Sequence, residues 1–127
     1  MRYLLDTHVF LWIVSDQRKL SARCVAVLQE SKTELYLSAA SVWEIGIKAG
    51  SGKLKLHKPL NQMLNEVEVT GLKQMPVTWE HASGVETLPA IHKDPFDRLL
   101  IAQAKLEALT VLTSDTVFKQ YKVPVLW

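Results

Sequence analysis

The chain of 127 residues contains one cysteine, Cys24. A lone thiol excludes an internal disulfide and a cysteine-built zinc cluster, and it suits a reducing cytoplasm. Long apolar runs are also missing. The most apolar stretch, "YLLDTHVFLWIV" (3–14), has the flavour of a signal peptide. Asp6 and His8 interrupt it, however, and it is too short to span a bilayer. It reads instead as a buried strand followed by a helix, and no membrane partner is expected. Charge of one sign is lacking too: the formal net charge is +2, which by itself names no partner. That figure can hide an asymmetry. If several acids were gathered in one pocket, the remaining surface would be basic, as an enzyme acting on a polyanion requires.

What remains is ordinary for a soluble globular protein: 48% apolar and 22% charged residues, with no repeat, linker or low-complexity tract. The length supports one domain over residues 1–127 with a sizeable core. Patterning predicts strands at "RYLL" (2–5), "ELYLS" (34–38), "LKQMPV" (72–77), "LTVLTSD" (109–115) and "VPVLW" (123–127). The last is placed at an edge because of Pro124. Helices are predicted around 8–15, over 22–31 capped by Ser21, and along "AASVWEIGIKAG", stopped by the glycines at 50 and 52. Others run from Pro59 to about Val67, across "TWEHASGVETL" (78–88) capped by Thr78, and after Asp94; a short helical turn follows Asp115. Strands alternating with helices imply a three-layer α/β/α sandwich on a mainly parallel central sheet. In such a sheet the site lies beyond the carboxyl ends of the strands.

That rule sorts the acids. Asp6 directly follows the first strand and Asp115 follows "VLTS". Each is also placed to cap a helix. Glu44 sits between Trp43 and Ile45 on a helix that is apolar nearly all round. An ionised carboxylate there costs several kcal/mol unless a cation neutralises it, and Lys48, one turn on, is the alternative to a metal. In "HKDPFDRLLIAQAKLEA" (92–108), Asp94 precedes Pro95 and is suited to the N-cap. Asp97 then falls at the third helical position, either as a short-armed capping box or as a ligand held ionised by the helix dipole. Leu99, Leu100, Ala102, Ala104 and Leu106 are expected to bury that helix. An oxygen-only cluster favours Mg²⁺ or Mn²⁺ over zinc, and such ions activate water in phosphodiester hydrolysis.

Asp6 in "LLDTHVF", Glu44 in "SVWEIGIK", Asp97 in "DPFDRLLIAQA" and Asp115 in "LTSD" stand in an order that resembles a PIN domain of the VapC type, the ribonuclease toxin of prokaryotic toxin–antitoxin pairs. The likeness runs from Met1 to the closing "YKVPVLW". It implies a homodimer, Mg²⁺ or Mn²⁺ at a site built from Asp6, Glu44, Asp97 and Asp115, RNA as substrate, and a small antitoxin that silences the site. The hydroxyl often found near the last acid would be Thr113 or Ser114. A PIN nuclease outside toxin–antitoxin systems is the alternative, and a catalytically idle binding module is a further one.

Other motifs give way. "GSGKL" (50–54) suggests a phosphate-binding loop, but Ile47 stands where its first glycine is needed and Leu54 where its Ser or Thr is needed. His8 occupies the place of the second acid of an aspartyl phosphotransferase, leaving a proton shuttle or a surface role. Arg2, Lys53, Lys55, Lys58 and Arg98 are candidates for contact with RNA phosphates or antitoxin.

Overall fold

A computed structural model describes residues 1–127. Five strands form one sheet: β1 (Arg2–Leu5), β2 (Glu34–Ser38), β3 (Lys73–Met75), β4 (Thr110–Leu112) and β5 (Val125–Leu126), in the order β3-β2-β1-β4-β5. Every pairing is parallel. The helices are α1 (Thr7–Ser15), α2 (Ala22–Gln29), α3 (Ala39–Gly50), α4 (Leu60–Val69), α5 (Trp79–Ser83) and α6 (Pro95–Glu107). Tight 3-10 turns at Gln17–Lys19, Gly84–Thr87 and Thr116–Tyr121 complete the chain.

The alternation of side chains along a strand builds the layers. On β1, Leu4 faces a buried cluster with Leu100, Ile101, Val111 and Tyr121. Its neighbours Tyr3 and Leu5 face the opposite cluster, with Val9, Phe10, Ile45 and Leu112. β4 splits in the same way at Val111 and Leu112. A strand apolar on both faces needs cover on both sides, and the result is the expected α/β/α sandwich. Each fully buried Leu or Phe contributes about 1.5–3 kcal/mol.

Several expectations are met at the level of single bonds. Ser21 accepts from the Cys24 N–H at 3.0 Å, and Thr78 caps α5 in a reciprocal box with His81. Gly71, with φ of +102°, ends α4 in a conformation that other residues avoid. β5 lies at an edge, where Pro124 removes no ladder bond from the interior. Other expectations shorten. The 78–88 helix divides after Ser83, and the 3-10 turn that follows it packs on α6 at Gly84. A Cβ there would lie 3.4 Å from Leu106 Cδ1 and 3.7 Å from Ala102 Cβ. On α6 the buried face is Leu100, Ile101, Ala102, Gln103 and Ala104, whereas Leu106 is exposed. "GSGKL" is a helix end, with the N–H groups of Lys53 and Leu54 both returning to the Lys48 carbonyl.

The strand order places the topological switch at β1. The chain runs outward through β2 and β3, then returns to β1's other side as β4. At such a switch, the place where a binding crevice is expected lies beyond the carboxyl ends of β1 and β4.

Candidate active site

The register of β1 against β4 decides which residues meet at that place. Leu5 pairs with Leu112, so the next residues, Asp6 and Thr113, stand opposite one another. The Asp6 N–H donates to the Leu112 carbonyl at 3.0 Å, and Thr113 Oγ1 donates to Asp6 Oδ2 at 2.8 Å. Of the two candidate hydroxyls Thr113 is therefore the one in place, while Ser114 is exposed. Asp6 occupies the N-cap position of α1, yet its side chain makes no capping bond. It is 3% exposed and forms no ion pair with a basic side chain. Burial pushes its carboxyl pKa up; the Thr113 bond and His8 oppose this, and the charges of Asp115 and Glu44 add to it.

Glu44 reaches the same rim from α3. Its approach is fixed one turn earlier, where buried Thr7 donates to Ser41 at 2.9 Å and ties the start of α1 to α3. The carboxylate is 4% exposed, and Lys48 Nζ lies 2.6 Å from Oε2. The i,i+4 ion pair weighed from the sequence is thus formed. Its lysine also feels Asp94 and Asp97, and its pKa is raised, first by the Glu44 bond.

Asp94 caps α6 as expected, accepting from the N–H groups of Phe96 (2.9 Å) and Asp97 (3.2 Å). Asp97 does not close a box back onto that cap. Its Oδ2 faces His92 Nε2 at 3.2 Å instead. Its carboxyl is pushed up to about 6 by burial first and by the Asp94 charge next, with Asp6 adding to the shift and His92 opposing it. Asp115 does the capping job that Asp6 declines, accepting from the Val117 N–H at 3.0 Å, and it is exposed.

The charges of Glu44 and Asp115 therefore both reach Asp6, and that of Asp6 reaches Asp97. They are not drawn into a closed cage: no three His, Cys, Asp or Glu side chains are close enough to share one metal ion. The donor set is nonetheless all oxygen, with two carboxyls held up by burial and mutual repulsion. That chemistry fits a hard cation bound by one or two carboxylates with water filling its shell.

Near the acids, exposed Trp43 meets Phe96 edge-to-face at 5.4 Å between centroids. His8 is exposed and tilted toward Trp12. Two basic candidates are corrected. Arg98 is turned inward onto the carbonyls of Pro89 (2.8 Å) and Val85 (3.4 Å). Arg2 lies at the amino end of β1, bonded to the Glu107 carbonyl at 2.9 Å and packed over the Tyr36 ring. Lys58 pairs with Glu66 at 2.9 Å, whereas Lys53 and Lys55 are exposed and make no ion pair. Sequence reasoning missed His92 and Tyr121. His92 sits in a loop outside any periodic pattern, and Tyr121 is 29 residues away from it. A groove of about 390 Å³ lined by Leu37, Val42, Leu64, Leu72 and Met75 includes none of the four acids.

Comparison with known proteins identifies the fold. Residues 3–124 match the PIN domain family. VapBC2 from Rickettsia felis, bound to a DNA fragment from its promoter, is similar in fold at a TM-score of 0.77 and 15% identity, covering 99% of this chain and 98% of that one. FitAcB from Neisseria gonorrhoeae superposes at 0.62 with 25% identity, covering 98% and 96%. A toxin–antitoxin complex from Klebsiella pneumoniae does so at 0.69 with 15% identity, again covering 98% and 96%. Comparison with curated protein sequences gives no match. No helix is long and apolar enough to cross a membrane. This chain belongs to the PIN domain family, and its fold is of the VapC type.

Proposed function

We propose that the protein is a ribonuclease dependent on Mg²⁺ or Mn²⁺, acting as the toxin of a toxin–antitoxin pair. PIN domains are generally nucleases, which sets the reaction class. The observation that carries the metal-dependent reading is Asp6. A carboxylate 3% exposed, released from capping and given no cationic side chain, is held beside two further acids. Such a group is costly when ionised unless a cation joins it.

Asp6, Glu44, Asp97 and Asp115 would hold the ion, directly or through water. A divalent ion bound there supplies an activated water and neutralises charge on the leaving oxygen of a phosphodiester. Thr113 fixes Asp6 by donating to Oδ2, leaving Oδ1 for the ion. The cap to Val117 holds Asp115 in one rotamer. Lys48 balances Glu44 and lies close enough to Asp94 and Asp97 to temper their charge. Lys53 and Lys55, on the loop that follows α3, remain available to the RNA backbone.

The partner is a small antitoxin protein. Support comes from the similarity to VapBC and toxin–antitoxin complexes. We also assign a homodimer, for which exposed Trp79 and Leu106 on the contacting helices α5 and α6 offer apolar surface. A cytoplasmic setting suits the free, buried Cys24. The test is cleavage of a single-stranded RNA pool by purified protein. EDTA should abolish it, and Mg²⁺ or Mn²⁺ should restore it. Full activity in excess chelator would refute the metal reading, and no cleavage under any metal would favour the idle binding module.

A further inference from the structure

The four carboxylates leave unexplained a set of polar side chains that closes around Asp97 from the protein side. His92, in the loop before α6, has Nε2 3.2 Å from Asp97 Oδ2 and Nδ1 2.6 Å from the Tyr121 hydroxyl. Tyr121 is buried in the 3-10 turn after β4. Its hydroxyl receives two further bonds, from the His92 backbone N–H at 3.2 Å and from Arg98 Nη1 at 3.1 Å. Arg98 is itself anchored by the carbonyls of Pro89 and Val85.

A tyrosine hydroxyl has two acceptor lone pairs and one proton. Both lone pairs are taken, because the backbone N–H and the guanidinium can only donate. The proton is left for the remaining neighbour, His92 Nδ1, which must accept it. The neutral ring then carries its own proton on Nε2, aimed at Asp97. The opposite tautomer would point an N–H at a hydroxyl with no lone pair free, strand the hydroxyl proton, and set the Nε2 lone pair against a carboxylate.

We propose that His92 is a positioning residue for Asp97, its tautomer set by Tyr121 and Arg98 so that Nε2–H donates to Oδ2. The bond holds one carboxylate oxygen and leaves Oδ1 free for the cation. It rests on the reading of Asp97 as part of a metal site. The network also accounts for the inward turn of Arg98, which is the fixed end of a chain, Arg98 to Tyr121 to His92 to Asp97, that orients a carboxylate from the protein interior.

Long-range ¹H–¹⁵N correlation of the imidazoles in the full metal-free chain, at mildly alkaline pH, reads the tautomer directly. His92 should show a protonated Nε2 and an unprotonated Nδ1. Tyr121→Phe, which keeps the ring in the core, should turn this into a mixture of tautomers. Mn²⁺ titration by calorimetry supplies the second readout. His92→Ala should weaken Mn²⁺ binding by about ten- to a hundredfold, the usual effect of removing an outer-shell partner. His92→Gln places an amide nitrogen where Nε2 stood and should recover most of that affinity, whereas the shorter His92→Asn should not. A purely structural role would not separate Gln from Asn. A wild-type ring protonated on Nδ1, or a folded His92→Ala that binds Mn²⁺ with unchanged affinity, would overturn the proposal. Neither readout depends on RNA cleavage. A chain that meets both yet cuts no RNA would refute the nuclease reading and uphold this one.

Discussion

Replacing Asp97 by asparagine separates a ligand from a structural acid, because the two roles demand opposite changes in stability. In the metal-free protein the Asp97 carboxyl is raised from 3.8 to about 6, chiefly by burial and by the charge of Asp94. A folded pKa above the unfolded one means that protonation stabilises the fold. That contribution is complete below about pH 4 and is lost as pH rises through about 6. Two pKa units correspond to nearly 3 kcal/mol at 1.36 kcal/mol each; the open rim screens part of this, leaving about 2 kcal/mol. Asparagine keeps the shape and an oxygen for the His92 N–H but never ionises. At neutral pH and in EDTA, Asp97→Asn should therefore melt higher than wild type by roughly 5–10 °C. Near pH 4, where wild-type Asp97 is protonated, the two should melt together. In Mg²⁺ the same substitution should lower RNA cleavage by orders of magnitude, since the ion loses a charged ligand. Calorimetric melts at both pH values, beside gel-based cleavage assays, supply the data. An Asp97→Asn protein that melts early at neutral pH, or that cuts RNA normally, would refute the assignment.

The neighbouring acid should behave in the contrary manner. Asp94→Ala removes the acceptor for two helix N–H groups and should cost about 0.5–2 kcal/mol by chemical denaturation, with cleavage largely kept while the protein is folded. Lys48→Met strips the buried Glu44 carboxylate of its cationic partner and should destabilise the metal-free chain by about 1–3 kcal/mol. Added Mg²⁺ should reverse much of that loss, and a melt indifferent to Mg²⁺ would count against Glu44 as a ligand. Thr113→Val deletes the donor to Asp6 Oδ2 and should raise the Mg²⁺ concentration needed for half-maximal cleavage about ten- to a hundredfold. RNA binding should weaken steeply as salt rises, through counterion release; replacing Lys53 and Lys55 together should flatten that slope, and replacing Arg2 should leave it unchanged.

Much of the architecture follows from residues that act locally. Alternating Leu4 and Leu5 make β1 apolar on both faces, and the regular return of such strands between helices leaves a covered parallel sheet as the outcome. Ser21, Thr78, Asp94 and Asp115 cap the elements they precede because a cap involves only the next two or three N–H groups. The extent of the elements was less legible. "TWEHASGVETL" has helical spacing throughout, yet it divides after Ser83 into a helix and a 3-10 turn packed against α6. Leu106 likewise fits an apolar stripe but is exposed, whereas Gln103, one turn earlier on α6, is buried with its Nε2 on the Pro76 carbonyl.

The acids show where local chemistry stops. Asp6 and Asp115 can be placed on one rim by counting from their strands, since parallel strands present their carboxyl ends together. Asp6 and Asp115 both occupy N-cap positions in sequence, yet only Asp115 caps. The difference lies in the β1–β4 register, which sets Thr113 against Asp6 and draws its carboxylate away from the helix. Glu44 with Lys48 was visible as an i,i+4 pair, because both partners ride on one helix. The chain from Arg98 through Tyr121 and His92 to Asp97 was not, because a hydrogen bond depends on distance in space, and residues from a loop, a helix and a 3-10 turn become neighbours only once the sheet and its two helical layers have packed.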